Sequence, residues 1–220
     1  MFIFLHIPKT GGTKLMEIFK QFQKLNYGKV HEINTNELKK YSALNQSESI
    51  IHGHISFKEL KLLNKPLYDS FTIVRNPIHR CLSWYYYTNQ GKSIVGKKLS
   101  IPDFFSSNHP GIIQNCFNRM TYQLGDYAHY SKRDKLLYHV LVRAKENVKN
   151  LKCIMVYENL KNDVNKLFET SLPDINKTKD YNHHLNDIEY ECIKKWNELD
   201  IELYNYIIDN LGSEYTKFKL

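Results

Sequence analysis

Short apolar runs alternate along the chain with longer segments in which apolar residues return every three or four positions. Short apolar runs are typical of strands buried in a parallel sheet, and the longer spacing is typical of amphipathic helices. Strands that alternate with helices predict an open, doubly wound α/β sheet. The runs that we interpret as strands are Phe2–Leu5, Ser49–Ile51, Phe71–Val74 and Cys153–Val156.

The helical segments carry recognisable start signals. After the third predicted strand, Asn76 is a candidate N-cap, and Pro77 suits the first helical position. We expect Arg80, one turn further on, to be a solvated helix residue. Further helices, of which the last is long and has a broad apolar stripe, are predicted over Gln114–Leu124, Leu136–Asn147 and Asp187–Leu211.

The segment between the first strand and the first helix predicts an anion site. A helix N-terminus offers unpaired backbone N–H groups to an anion, and glycines let the backbone approach a phosphate closely. A lysine adds positive charge, and threonine hydroxyls can donate hydrogen bonds. This segment combines all three features, in Lys9, Thr10, Gly11, Gly12 and Thr13. We interpret it as a phosphate-binding loop, and the alternative is an ordinary glycine-containing turn.

Other polar residues also follow the predicted strands. His52 and His54 come after the second strand, Arg75 after the third, and Tyr157–Glu158 after the fourth. In open α/β sheets, ligands bind outside the carboxyl ends of the strands. We therefore expect these residues and the phosphate-binding loop to form one site at one edge of the sheet.

Composition narrows the class of protein. No linker rich in Pro, Gly or Ser divides the 220 residues, so a single domain over 1–220 is expected. The net charge of +8 suits an anionic ligand, and no aromatic and basic motif of a nucleic-acid-binding module occurs. No apolar stretch approaches the roughly 20 residues of a membrane span. A strand that begins at Phe2 leaves no room for a signal peptide, so we expect a cytosolic protein.

The sequence motifs do not indicate a metal site or a redox-active cysteine pair. The cysteines form no Cys-x-x-Cys pair and are expected to be reduced, mostly buried thiols: Cys81, Cys116, Cys153 and Cys192. The loop is not a Walker A motif, in which the lysine follows the second glycine. No acidic pair after a strand indicates the magnesium site that phosphoryl transfer usually requires. We therefore expect no metal, and an ordinary ATPase or kinase is disfavoured.

Two segments resemble a known family. His6–Thr13 resembles the 5′-phosphosulfate loop of carbohydrate sulfotransferases related to the heparan sulfate 2-O- and 6-O-sulfotransferases. Val74–Tyr86 resembles their 3′-phosphate motif, in which an arginine and a serine hold the 3′-phosphate of 3′-phosphoadenosine 5′-phosphosulfate. Those positions are Arg75 and Ser83 in this chain. The resemblance implies a P-loop-like parallel sheet flanked by helices, and it extends weakly over Asn118–Met120, Ala144–Asn147 and Asn197–Tyr204.

The resemblance also implies a reaction, in which an acceptor hydroxyl attacks the sulfuryl group in line. His52 and His54 are similar to the His-Gly-His of the 2-O-sulfotransferases, where a histidine is the proposed base. We favour His54, closer to the sheet edge, and keep His52 as its competitor or orienting partner. Lys9 and the loop N–H groups would stabilise the leaving phosphate. A late segment, Asn176–Lys179, is a candidate to surround the adenosine.

The acceptor and two rival functions stay open at this stage. The acceptor is expected to be a hydroxyl of a carbohydrate, with a lipid or a small metabolite as alternatives. One rival is a phosphotransferase of P-loop ancestry, which would require magnesium and ATP. The other is a non-catalytic protein that binds adenine nucleotides.

Overall fold

The computed structural model describes residues 2–24, 29–32, 49–61, 70–89, 94–127, 137–168 and 184–211. Its strands form one parallel sheet in the order β2-β3-β1-β4-β5. The strands are β1 (Phe2–Leu5), β2 (Lys29–Glu32), β3 (Ser49–Gly53), β4 (Ser70–Val74) and β5 (Cys153–Val156). The predicted single-domain α/β fold is confirmed. The candidate adenosine segment 176–179 lies outside the described residues.

Helices cover both faces of the sheet. They are α1 (Gly12–Lys24), α2 (Phe57–Lys61), α3 (Pro77–Asn89), α4 (Ile101–Ser106), α5 (Pro110–Cys116), α6 (Arg119–Leu124), α7 (Tyr138–Val148), α8 (Leu160–Phe168), α9 (Asp187–Trp196) and α10 (Glu198–Leu211). Because side chains alternate along a strand, Phe4 packs with α1 and α8 on one face. Ile3 and Leu5 point to the other face, where the remaining helices pack.

The strand β2 was not predicted from the sequence. Its residues, Lys29–Glu32, contain one aliphatic side chain, and both ends of the strand are exposed. Among the described strands it pairs with β3 alone, at the edge of the sheet. Its side chains are exposed or half-buried, so the strand lacks the apolar run that marked the other four strands.

Two predicted helices are each broken in two. The expected helix over 114–124 is interrupted at Asn118, which has a left-handed φ of 44°, and the expected helix over 187–211 is interrupted at Asn197. The Asn118 side chain accepts hydrogen bonds from the N–H groups of Leu199 at 2.9 Å and Asp200 at 3.1 Å, at the start of α10. Each break therefore exposes a helix N-terminus for a cap from elsewhere in the chain.

The Asp200 carboxylate in turn caps the N-terminus of α6. It accepts hydrogen bonds from the N–H groups of Met120 at 3.1 Å and Thr121 at 2.7 Å, at the start of α6. Arg80 lies beside it, with Nη2 3.8 Å from Asp200 Oδ2, and both side chains are completely buried. The expectation of a solvated Arg80 was therefore wrong. Its guanidinium also donates to the carbonyls of Asn115 and Cys116, so it ties α3 to the end of α5.

The strand order determines where the loops meet. From β1 the chain leads to β2 and β3 on one side, whereas β4 and β5 lie on the other side. The carboxyl ends of β1 and β4 therefore flank the point at which the connections diverge, and this is where open α/β sheets bind ligands. The predicted phosphate-binding loop follows β1, and Arg75 follows β4.

Candidate active site

The phosphate-binding loop, Lys9–Thr13, has an unusual backbone. Lys9 has a φ of 67° and Gly11 a φ of 97°, both in the left-handed region. A lysine in this region carries a conformational cost that the surrounding structure must offset. The buried Thr10 hydroxyl donates to the Ile7 carbonyl at 2.8 Å and so closes the turn. Thr10 therefore uses its hydroxyl proton to shape the loop, while Thr13 lies exposed in the first turn of α1.

Both loop glycines are needed for close packing. A Cβ atom on Gly11 would lie 2.7 Å from Cδ2 of Tyr157, and a Cβ atom on Gly12 would overlap the ring of His6. The glycines thus allow two aromatic rings to lie against the backbone of the loop. The first positions of α1 are held between a residue that follows β5 and a residue that follows β1.

Arg75 joins the two predicted phosphate motifs. Its Nη1 atom donates to the carbonyl of Lys9 at 3.1 Å, across 66 positions of sequence. Its guanidinium carbon lies 4.1 Å above the centre of the Tyr157 ring, a cation–π contact. The ammonium of Lys9 lies 4.2 Å from the centre of the Tyr87 ring. Each cation of the predicted donor site therefore lies over an aromatic ring, and Arg75 is joined to the backbone of the loop that carries Lys9.

The turn after β4 is held by Glu158. Its carboxylate accepts from the Asn76 N–H at 3.0 Å and from the Tyr204 hydroxyl at 3.2 Å. Burial opposes ionisation, but hydrogen bonds from His79, Asn76 and Tyr204 outweigh it and lower the pKa of Glu158. Asn76 caps α3 as predicted, since its Oδ1 accepts hydrogen bonds from the N–H groups of Ile78 and His79. Arg75 thus projects from a turn that is fixed on both sides.

A group of histidines lies at the ends of β1 and β3. His54 Nδ1 lies 2.8 Å from the carbonyl oxygen of His6, and the two rings stack with centroids 4.3 Å apart. A carbonyl oxygen can only accept, so Nδ1 of His54 carries the proton, and the lone pair of the neutral ring is on Nε2. His52 is buried at the end of β3, whereas His54 is exposed just beyond it.

All three histidines of this group have lowered pKa values. Burial, followed by the charges of His54 and His52, lowers the pKa of His6 to about 3. Burial also lowers the pKa of His52, and the charge of Glu32 opposes it. Desolvation by the surrounding protein lowers the pKa of His54, Arg119 adds to this effect, and the hydrogen bond to His6 opposes it. The ring of His54 is therefore neutral at pH 7, as a base must be.

Several residues of this site were not singled out from the sequence as candidates. Gln123 donates from Nε2 to the carbonyls of His6 at 3.1 Å and Ile55 at 2.9 Å, so it links the ends of β1 and β3. Glu32 lies opposite His52 in the register of β2 and β3. The sequence contained a signal for His6, which begins the motif of the loop. It contained none for Gln123, which lies 117 positions from His6.

The remaining predicted residue, Ser83, lies on α3. Its side chain is buried. Tyr87, whose ring contacts the ammonium of Lys9, follows one turn later on the same helix face. The structure thus brings Lys9, Arg75 and the histidines to one edge of the sheet and places Ser83 in the helix that borders them. Within the described ranges, no group of three or more His, Cys, Asp or Glu side chains is arranged to hold a metal ion.

The fold and the site together define a class of protein. A parallel α/β sheet with a glycine-rich loop at a helix N-terminus, two nearby cations and a neutral histidine is suited to the transfer of an anionic group. A family model described as "Sulfotransferase family" matches residues 1–207. The chain therefore belongs to the sulfotransferase family, and this membership supports sulfuryl transfer as its activity.

Two further findings complete the comparison. A search of curated proteins finds no significant match to this chain. Among the helices that the structure describes, none has both the length and the apolar character needed to cross a membrane.

Proposed function

We propose that this protein transfers the sulfuryl group of 3′-phosphoadenosine 5′-phosphosulfate to a hydroxyl group of a carbohydrate, with His54 as the base. The observation that carries the proposal is the hydrogen bond between His54 Nδ1 and the His6 carbonyl. It orients the ring and leaves Nε2 as the basic atom. The lowered pKa of His54 keeps that atom unprotonated at neutral pH.

The proposed reaction is a single displacement at sulfur. Nε2 of His54 accepts the proton of the acceptor hydroxyl while the oxygen attacks sulfur. The bond between sulfur and the bridging phosphate oxygen breaks, and its electron pair leaves with adenosine 3′,5′-bisphosphate. An alcohol is a poor nucleophile at neutral pH, so a positioned base contributes about 10²- to 10⁴-fold to the rate.

Negative charge develops on the leaving phosphate, and the phosphate-binding loop is suited to stabilise it. The loop precedes α1, so its N–H groups and the positive end of the helix dipole face the anion. In our proposal the ammonium of Lys9 moves from the Tyr87 ring to the bridging oxygen. The backbone N–H groups of the loop are fixed donors that act on the transition state without reorganisation, and neither they nor the lysine requires a metal.

The 3′-phosphate of the donor is assigned to Arg75 and Ser83. Arg75 braces the loop through the Lys9 carbonyl, and a guanidinium carries its N–H donors in a planar fork that matches the geometry of a phosphate. Ser83 lies on α3, the helix that begins two residues after Arg75. In this arrangement Arg75 would both bind the 3′-phosphate of the donor and orient the phosphate-binding loop.

The test compares His54→Ala with His52→Ala in an assay of transfer from radiolabelled donor to a panel of glycans and small metabolites, in the presence of chelator. We expect His54→Ala to lose about 10²- to 10⁴-fold in turnover. His52→Ala should lose less, because its buried ring is not the one that the His6 carbonyl orients. The matched control is His139→Ala, an exposed histidine on α7, which should retain full activity.

Calorimetry with adenosine 3′,5′-bisphosphate separates catalysis from binding. Both histidine variants should bind it as tightly as the wild type. A larger loss of turnover in His52→Ala would transfer the role of base to that residue. If the wild type bound the bisphosphate no better than 5′-AMP or ATP, or if chelator abolished turnover, the proposed donor chemistry would be wrong and a phosphotransferase would be favoured.

A further inference from the structure

His6 contacts both the phosphate-binding loop and His54. Its carbonyl lies 2.8 Å from His54 Nδ1, and its own N–H donates to the Gly53 carbonyl at 3.0 Å. Its imidazole lies between two rings, with centroids 5.3 Å from Phe4 and 4.3 Å from His54. A single residue thus contributes both the hydrogen bond and the stacking surface that orient His54.

The His6 ring also lies against the phosphate-binding loop. A Cβ atom on Gly12 would overlap its Nε2, Cδ2 and Cε1 atoms. Gly12 is the first residue of α1, where the loop N–H groups converge. The imidazole therefore lies against both the helix N-terminus and the ring of His54, where it can act as a spacer.

The charge state of His6 suits a spacer. Its pKa of about 3 keeps it neutral at physiological pH, so it places no positive charge beside His54. The charged or titratable groups that act on His54 from the surrounding elements are Arg119 of α6, Glu32 of β2, and the histidines of β1 and β3. The loss of the His6 ring would remove part of the protein that desolvates the His54 imidazole and so raise the pKa of His54 toward the ordinary value.

We propose that His6 is a positioning residue that holds the imidazole of His54 at a fixed distance from the phosphate-binding loop. The inference rests on the proposed role of His54 as the base. It explains why Gly12 must lack a side chain, since any Cβ atom there displaces the spacer. A misplacement of about 1 Å costs about a hundredfold in rate, so this contact matters for turnover without touching the acceptor.

A double-mutant cycle tests the proposal with Gly12→Ala, His6→Ala and the combined variant. If Gly12→Ala acts through the His6 ring, it should lower turnover about a hundredfold in the wild-type background. The same substitution should lower it only a few-fold where residue 6 is already alanine, because the overlapping ring is absent. Residues that interact directly show such non-additivity, whereas independent residues do not.

Nitrogen NMR of the His54 ring gives a readout that does not depend on turnover. Wild type should show the Nδ1-protonated tautomer of His54, with a pKa below the ordinary value of a histidine. We expect His6→Ala to raise the pKa of His54, and Gly12→Ala to change its nitrogen shifts only when the His6 ring is present. His139→Ala should leave the signals of His54 unchanged.

The outcomes separate this inference from the proposed function. Additive effects in the cycle, or a His54 spectrum that is the same in all variants, would overturn the role of His6 even in an active enzyme. If the wild type bound the bisphosphate but transferred no sulfuryl group, the proposed function would fail. The spectra would still decide whether His6 holds His54 in place.

Discussion

Two arginines of the same motif, Arg75 and Arg80, belong to very different surroundings. Arg75 donates to the Lys9 carbonyl and stacks on Tyr157, at the edge of the sheet where the strands end. Arg80 is fully buried between α3 and α5 and pairs with Asp200. One arginine braces a loop that is suited to an anion, and the other satisfies buried carbonyls and a carboxylate. One motif thus carries a proposed ligand-binding cation and a structural cation only five positions apart.

The same contrast extends to the weaker parts of the family resemblance. Asn118 and Asp200 belong to segments that resemble the family, and they cap each other's helices in the interior. We call the group formed by Arg80, Asn118 and Asp200 the helix junction. The residues of the helix junction stabilise the fold, whereas those of the candidate active site lie at the edge of the sheet where the proposed ligand binds.

The largest effect on stability is expected from Asp200→Ala in the helix junction. The substitution leaves the charge of Arg80 buried and removes the cap from two N–H groups of α6. Breaking a buried ion pair in this way costs about 3–5 kcal/mol of unfolding free energy. Urea denaturation measures the loss. The control is Glu202→Ala, an exposed partner of Lys145, which should cost at most about 1 kcal/mol. An equal cost for both variants would contradict the structural role of the helix junction.

Lys9→Ala is expected to show the opposite pattern. Turnover should fall about 10²- to 10³-fold, because the ammonium stabilises charge that develops in the transition state. The unfolding free energy should change by less than about 1 kcal/mol, since the side chain is partly exposed. Steady-state kinetics and urea denaturation of the same preparations separate the two effects. The control is Lys24→Ala, at the exposed end of α1. Full activity of Lys9→Ala would contradict the proposed role of Lys9 in stabilising the leaving phosphate.

Arg75→Ala is expected to weaken the binding of the nucleotide. Hydrogen bonds to charged groups contribute about 1.5–3 kcal/mol, so affinity for adenosine 3′,5′-bisphosphate should fall about ten- to a hundredfold. Affinity for 5′-AMP should fall less, which narrows the preference for a 3′-phosphate. Calorimetry measures both ligands, with Arg143→Ala on the exposed face of α7 as the control. Equal losses for the two ligands would show that Arg75 acts only as a brace for the loop.

The smallest effect is expected for Glu32→Gln, measured as a pH profile of kcat/KM. The base is active when neutral, so activity declines as the pH falls through the pKa of His54, which lies below its ordinary value. The carboxylate of Glu32 raises the pKa of both His52 and His54. Its removal should therefore move the acidic limb to lower pH. Glu17→Gln, in an exposed pair with Lys20, should leave the limb in place, and a shift to higher pH would contradict the assignment.

The sequence predicted the parts of the fold that are marked by local pattern. The four apolar strands, the N-cap Asn76 and the strand-loop-helix arrangement around Lys9 are all confirmed. The edge strand β2 was missed, because its side chains are mostly polar and exposed. The breaks at Asn118 and Asn197 were missed for a different reason. The apolar spacing continues across each break, and the groups that favour breaking the helix come from the distant partner segment.

The two histidines illustrate the same limit within the site. From the sequence, His54 was favoured as the base for its place closer to the sheet edge, and His52 was kept as its competitor or orienting partner. The structure distinguishes them, because only His54 meets the carbonyl of His6 and stacks on its ring. That contact joins residues 48 positions apart, and no local pattern can reveal it.

The sequence by itself determined the class of fold and the glycine-rich loop, because both depend on local geometry: the spacing of apolar residues and the backbone freedom of glycine. Only the tertiary structure decided which arginine is buried with Asp200 and which histidine is held by His6. Burial and hydrogen-bond partners set the charge, orientation and basicity of a side chain. Those surroundings come from segments that are distant in the chain, so they exist only once the chain has folded.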